Sequence, residues 1–209
     1  IFVSSQTTLI EEDFSAGTLP VGWTNVNNGG TAGQIWQFTP TSNGTITAGN
    51  ISGNYAILDS DDYGNGNNQN ARLTTPSFAT GSYETITLEY DYQYRDYQSP
   101  ESCTVEVFNG TSWVVVASYT TNSGDNYSSL SNGADNVTID ITSQVNGASN
   151  AQVRFTYIGD WDWWWAIDNV TVTGTLPSSS NAYLGPGGVG NTDGTSDLIL
   201  WTVPDDITE

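Results

Sequence analysis

The sequence predicts an all-β fold, a two-sheet antiparallel β-sandwich of the jelly-roll kind. Apolar and polar residues alternate over short runs, helical periodicity is almost absent, and turns rich in Gly, Asn and Ser separate the runs. A period of two turns one face of a strand to the core and the other to water; an amphipathic helix needs 3.6. About ten short strands punctuated this way suit two packed sheets.

Early strands are expected over 8–14, 34–38, 55–59 and 71–78. Over 84–94, Ile86, Leu88, Tyr90, Tyr92 and Tyr94 share one face, with Thr87, Glu89, Asp91 and Gln93 on the other. Cys103, Val105 and Val107 alternate with Thr104 and Glu106. Asn109-Gly110 follows, and Asn-Gly between two β runs signals a hairpin, so 102–108 should pair with 113–119. Val137, Ile139 and Ile141 mark another strand, and Val153, Phe155 and Tyr157 the next. The last strand is expected over 164–173. Composition shifts after Gly174. Residues 1–174 therefore read as the sandwich, 175–196 as a Ser/Gly-rich linker, and 197–209 as the start of a following module.

Charge limits the partners. Twenty-three Asp and Glu face three cations, Arg72, Arg95 and Arg154, for a net charge of −20. Phosphate backbones and anionic membrane surfaces repel such a chain, so nucleic acid is excluded. No apolar run is long enough to span a bilayer, so membrane insertion is not expected. With no His, neither a Ser-His-Asp nor a Cys-His nucleophile can be assembled. With no Lys there is no Schiff base. The single Cys103 leaves no intrachain disulfide and reads as a small buried strand residue. Paired carboxylates for glycoside hydrolysis stay open in principle, but nothing singles out a pair. The chain is expected not to be an enzyme. It begins without Met or a basic leader. That reads as a monomeric module excised from a larger, multidomain, secreted or cell-surface protein.

Several motifs occur in order: Glu12-Asp13-Phe14, Leu19-Pro20-Val21-Gly22-Trp23, Trp36, Leu58-Asp59-Ser60-Asp61-Asp62, and Leu73-Thr74-Thr75-Pro76. The Tyr-rich run 84–94, Val153-Arg154-Phe155 and the closing Trp164-Trp165-Ala166-Ile167-Asp168-Asn169-Val170 complete the set. Together, over 8–174, they resemble the cleaved-adhesin and MAM-like jelly-roll domains of bacterial surface and secreted proteins. The adhesin domains attached to gingipain-type proteases are the familiar case. The resemblance implies structural calcium and a role in adhesion or ligand binding. It also implies that an acid of the closing motif lies near the first strand, making Glu12 or Asp13 the expected co-ligand of Asp168.

Asp168 is also informative by itself. In a regular strand it shares parity with Ala166, Val170 and Val172 and points to the core. A buried carboxylate in a chain with three cations suits calcium, which takes carboxylate, carbonyl and amide oxygens. The alternative is an Asp accepting backbone N–H groups at a bulge. Asp59 and Asp61 have the spacing that opens a calcium loop, with Gly64 at the turn, but Tyr63 and Asn70 break the EF-hand pattern. That stretch is an oxygen-rich metal loop or a solvated turn.

Trp161-Asp162-Trp163-Trp164-Trp165 is the third candidate. Alternation puts Trp163 and Trp165 on one face and Trp164 on the other. Trp161 is the most loop-like and the first choice for a ligand platform, with Trp163, Tyr94, Arg95 and Tyr97 nearby. The plain alternative is that all are packing aromatics. Two partners are expected: a polysaccharide, neutral rather than anionic, or an extracellular protein contacted by an adhesin-like or spacer domain. An exposed Trp161 or Tyr97 favours the first; a flat surface with every Trp buried favours the second.

Overall fold

The structure, a computed structural model, describes residues 5–41, 46, 50–95, 97, 102–119 and 135–177. Gln6–Leu176 pack as one compact unit. The linker and following-module expectations beyond residue 177 lie outside the described residues.

In chain order the elements are β1 (Gln6–Glu12), β2 (Thr24–Asn27), β3 (Ala56–Asp59), α1 (Ser60–Tyr63), β4 (Gln69–Thr74) and β5 (Thr85–Arg95). Then come β6 (Ser102–Phe108), β7 (Trp113–Tyr119), β8 (Asp135–Asp140), α2 (Thr142–Val145), β9 (Gln152–Gly159) and β10 (Trp164–Thr175). One sheet runs β1-β10-β5-β8, with β3 also paired to β10; the other runs β2-β4-β9-β6-β7. Every pairing is antiparallel. The all-β sandwich expected from alternation is the fold observed.

The core lies between the sheets and is largely aromatic. Trp165 of β10 meets Phe155 of β9 at 6.0 Å between ring centroids, and Phe155 meets Tyr90 of β5 edge-to-face at 5.4 Å. Large rings compensate for the shortage of aliphatics by burying much area per residue. Tyr90 and Tyr119 share a hydroxyl–hydroxyl hydrogen bond. Burial pushes the Tyr90 phenol far up and that of Tyr119 to about 12, so both stay protonated and either can donate to the other. Cys103 is buried and free, as its strand position implied.

The hairpin of β6 and β7 forms as expected, with a bulge between Val105 and Glu106. Other boundaries move. The strand expected over 34–38 is only a bridge from Gln37 to Ile57, and 71–78 becomes Gln69–Thr74 plus a bridge from Phe78 to Ala151. β2 was not anticipated.

The functionally important departure is in β10. Asp168 pairs with Asp91, but the next pair with β5 is Thr171 with Glu89. β10 thus spends one residue more than its partner, with Asn169 at φ 51. Asn tolerates this left-handed conformation better than most residues. The bulge resets parity. Trp165 and Ile167 enter the main core before it, and Val170 and Val172 after it. Asp168 therefore does not share a face with Val170 and Val172, as a regular strand would require. It lies with Trp164 and Ala166 on the outer face. There a second small core of Ile46, Ile51, Tyr55 and Ile57 covers Trp164 and Ala166.

Candidate metal and ligand sites

β10 begins between two strand ends: Trp164 pairs with Asp59 at the end of β3 and with Arg95 at the end of β5. Helix α1, Tyr97 and the β9–β10 connection therefore converge at one end of this sheet. The connection is pinned from several sides. The Asp160 carboxylate accepts the N–H groups of Gly66 and Asn67 at 2.9 and 3.1 Å. Ser60 N–H donates to the Trp163 carbonyl at 2.8 Å, and Asp162 N–H donates to Ser60 Oγ at 3.1 Å. Asp162 is buried and accepts from the Tyr97 N–H. Trp161 sits at φ 51, a strained backbone for an aromatic residue, and 39% of it is exposed.

These elements enclose a cleft of about 220 Å³ lined by Asp61, Tyr97, Trp161, Asp162 and Trp163. Tyr97 is 58% exposed and makes edge-to-face contacts with both Trp161 and Trp163, each at 6.2 Å. Behind Trp163, the Arg95 guanidinium lies 3.8 Å from its ring centroid and 4.9 Å from that of Trp164. The structure thus brings Trp161, Trp163 and Tyr97 together and places Arg95 behind them as a support. Tyr94 is different. It is buried in the main core, with its hydroxyl 3.5 Å from Asp162, and is not among the residues that line the cleft. Nor does Trp163 share a face with Trp165. The strand starts only at Trp164, so alternation does not reach residue 163, and Trp163 packs on Trp164 at 5.8 Å.

Asp59 and Asp61 belong to this end of the sheet. Asp59 is the N-cap of α1: one oxygen accepts the Asp62 N–H at 3.1 Å and the other the Thr41 hydroxyl. Asp61 lines the cleft. The acidic stretch is thus a capped helical turn, four residues along β10 from the pair of Asp168 with Asp91.

Asp168 and Asp91 are both buried, directly opposite each other across the β10–β5 pairing. Asp91 accepts three side-chain amides, from Asn50 at 3.1 Å, Asn136 at 2.9 Å and Asn169 at 2.7 Å. Among the described residues, Asp168 accepts the backbone N–H groups of Asn169, at 2.8 Å, and of Ser52. Burial pushes its carboxyl up to about 7; the Asn169 N–H pulls the other way, and the charges of Asp91 and Asp13 add to the rise. Of the expected co-ligands, Asp13 is near enough to act on Asp168 through its charge. Its own carboxyl is held low by hydrogen bonds from Ser15. Glu12 pairs with Val170 and accepts the Phe14 N–H at 2.7 Å.

A hard divalent cation would find two buried carboxylates here, those of Asp168 and Asp91. The buried carboxyl of Asp168 has no arginine beside it: Arg72 and Arg154 are on the opposite sheet, and Arg95 is at the cleft. Calcium takes oxygens, and the carboxylates of Asp168 and Asp91 are the oxygens present here; the amides of Asn50, Asn136 and Asn169 turn their nitrogens to Asp91 and would have to turn to offer theirs. Among the described residues no three acid side chains form a metal cluster, so amide or carbonyl oxygens would have to complete the shell. Alternation missed Asp91 and Asn136, whose faces read as solvated. Asn50 carried no local signal at all.

No protein-family model matches the sequence, and no curated protein matches it. Solved structures do. The K3 cleaved adhesin domain of Lys-gingipain from Porphyromonas gingivalis W83 is similar over 81% of this chain and 99% of its own, with a TM-score of 0.59 at 20% identity. The K1 domain gives 0.58 at 16% identity, over 79% and 97%. The chain has a gingipain-type adhesin-like fold. The structure of TmCBM61 in complex with β-1,4-galactotriose is also similar, with a TM-score of 0.51 at 11% identity over 77% of this chain and 93% of that one. At these identities the likeness establishes fold alone. No helix among the described residues is long and apolar enough to cross a membrane.

Proposed function

We propose that this chain is a non-catalytic extracellular binding module that holds a polysaccharide at the Trp161–Tyr97–Trp163 cleft, with structural calcium at Asp168. The carrying observation is the cleft itself: two partly exposed rings and a third wall, held rigid by hydrogen bonds to Asp160, Asp162 and Trp163. Aromatic faces stack on the C–H faces of sugar rings while carboxylates accept from hydroxyls. A pocket combining apolar walls with a few fixed polar groups is the usual form of a small-ligand site. The galactotriose complex of TmCBM61 lends support, because a similar sandwich carries a glycan there. The net charge of −20 favours a glycan without anionic groups. Calcium would hold β1, the β10 bulge and the segment around Asn50 together rather than touch ligand.

An adhesin-like or spacer role is the second reading, supported by the likeness to the gingipain domains. Its expected signature was a flat surface with every Trp buried, and the exposed Trp161 argues against that. Affinity electrophoresis with calcium against neutral and anionic polysaccharides decides between them. Retardation by one or a few neutral polymers is the expected result. Free migration in every gel would move the function to protein contacts.

A further inference from the structure

We infer that this module is built to stay intact among endoproteases that cut after lysine or arginine, because its fold withholds every basic residue the chain has. The inference is independent of the cleft and of calcium.

Composition is the first argument. At 209 residues a chain of ordinary makeup would hold roughly 25 basic residues, half of the quarter that is usually charged. This one has no Lys and only Arg72, Arg95 and Arg154. All three lie in strands, so no connection and no terminal stretch carries a basic side chain. Loop tips and termini are where folded chains are usually nicked. Solubility does not explain the placement. It needs net charge, which the 23 acids supply wherever the arginines sit.

Backbone position is the second argument. A protease of this kind takes its substrate as an extended segment and pairs with its backbone, as an added strand would. In an interior strand both backbone edges are already in use. Arg72 stands opposite Val26 of β2 on one side and Thr156 of β9 on the other. Arg154 stands opposite Thr74 of β4 and Glu106 of β6. β5 is interior too, between β10 and β8, and Arg95 ends it opposite Trp164 of β10. The strands at the sheet edges, β1, β2, β7 and β8, hold no basic residue.

The protease must also draw the guanidinium into its specificity pocket, and each one is engaged. Arg154 donates two hydrogen bonds to Glu106 and lies 3.9 Å from the Trp113 ring centroid. Arg95 lies 3.8 Å from the Trp163 centroid. The terminal nitrogens of Arg72 donate to the Asn28 amide oxygen at 3.0 and 3.1 Å. Such a segment becomes cleavable only when its sheet opens, so cutting follows the population of the opened chain.

Wild type, Val21→Arg and Val21→Gln are digested with trypsin at several urea concentrations below the unfolding midpoint, and the products are followed by mass spectrometry. Val21 is 98% exposed in the connection between β1 and β2, so a basic side chain there lies outside the strands and disturbs no packing. Val21→Arg should be cut after residue 21 about a hundredfold or more faster than wild type is cut anywhere, because global opening populates roughly one molecule in a thousand or fewer. Val21→Gln should match wild type. The slow cutting of wild type should accelerate with urea as global unfolding does. Cleavage of wild type after Arg72, Arg95 or Arg154 at the rate of Val21→Arg, or at a rate that urea leaves unchanged, overturns the inference. So does a Val21→Arg protein that resists trypsin as well as wild type, because resistance would then come from the fold as a whole and not from where its arginines lie.

Discussion

Replacing Asp168 by Asn in metal-free protein should change how stability depends on pH. Wild-type Asp168 is 3% exposed, and burial beside Asp91 lifts its carboxyl from 3.8 to about 7. A carboxyl held above its ordinary value binds its proton more tightly folded than unfolded. Its stabilising contribution is complete below about pH 3.8 and is lost as pH rises toward about 7. At about 1.36 kcal/mol per pH unit, the loss across that window is about 4 kcal/mol. That is a large share of the roughly 5–15 kcal/mol that holds a domain folded. Asn keeps the size and removes the ionisation. Urea denaturation in EDTA, repeated from about pH 4 to about pH 7, should therefore show wild type losing stability relative to Asp168→Asn as pH rises. Saturating calcium should reverse the wild-type trend, because the ion binds the ionised carboxylate and only in the folded state. It should do little for the variant. Parallel pH profiles of the two proteins in EDTA would refute the reasoning.

Three further outcomes follow from single contacts. Calcium should raise the wild-type melting temperature and chelation lower it; identical melting curves in calcium and EDTA at pH 7 would remove calcium from Asp168. Arg154 donates two hydrogen bonds to Glu106, at 2.8 and 2.7 Å, and stacks on Trp113 at 3.9 Å. Burial raises the Glu106 carboxyl, but Arg154 and Thr156 outweigh it and hold it below the usual range. Arg154→Ala should cost about 3 kcal/mol in urea denaturation, since it strands a largely buried carboxylate; a loss below about 1 kcal/mol would mean solvent screens the pair. Gly174 has room for no side chain, because a Cβ would lie 2.5 Å from the Tyr83 ring. Gly174→Ala should destabilise by about 1–3 kcal/mol, and an unchanged midpoint would mean that Tyr83 swings away freely.

Strand faces were legible where one side of a strand meets the main core and nothing interrupts the pleat. Ile86 to Tyr94, Cys103 to Val107 and Val153 to Tyr157 all bury the face that alternation assigned. The Asn109-Gly110 hairpin was readable for a local reason, its turn chemistry. The bulge at Asp168 and Asn169 was not, because Ala166, Asp168, Val170 and Val172 alternate as though the strand were regular. Asn169 after Asp168 was the available hint, being a residue type that accepts positive φ. Asp59 followed by two acids could have been read as a helix start, since Asp caps and acids favour the first turn. Asp91 was beyond local reasoning. Its face reads as solvated and is buried only because of what lies over the outer side of its sheet, beside Asn50 and Asn169. The aromatic cleft was half legible: composition marked Trp161 and Tyr97, but only the strand order carries residues 61, 97 and 161 to one end.

The most direct test of the glycan site is affinity electrophoresis of wild type beside Trp161→Ala in the polysaccharide gel that retards wild type most, with calcium present. The cleft reading predicts that the variant stays folded by circular dichroism and migrates as in a gel without polysaccharide. A folded variant that is retarded as strongly as wild type would contradict it.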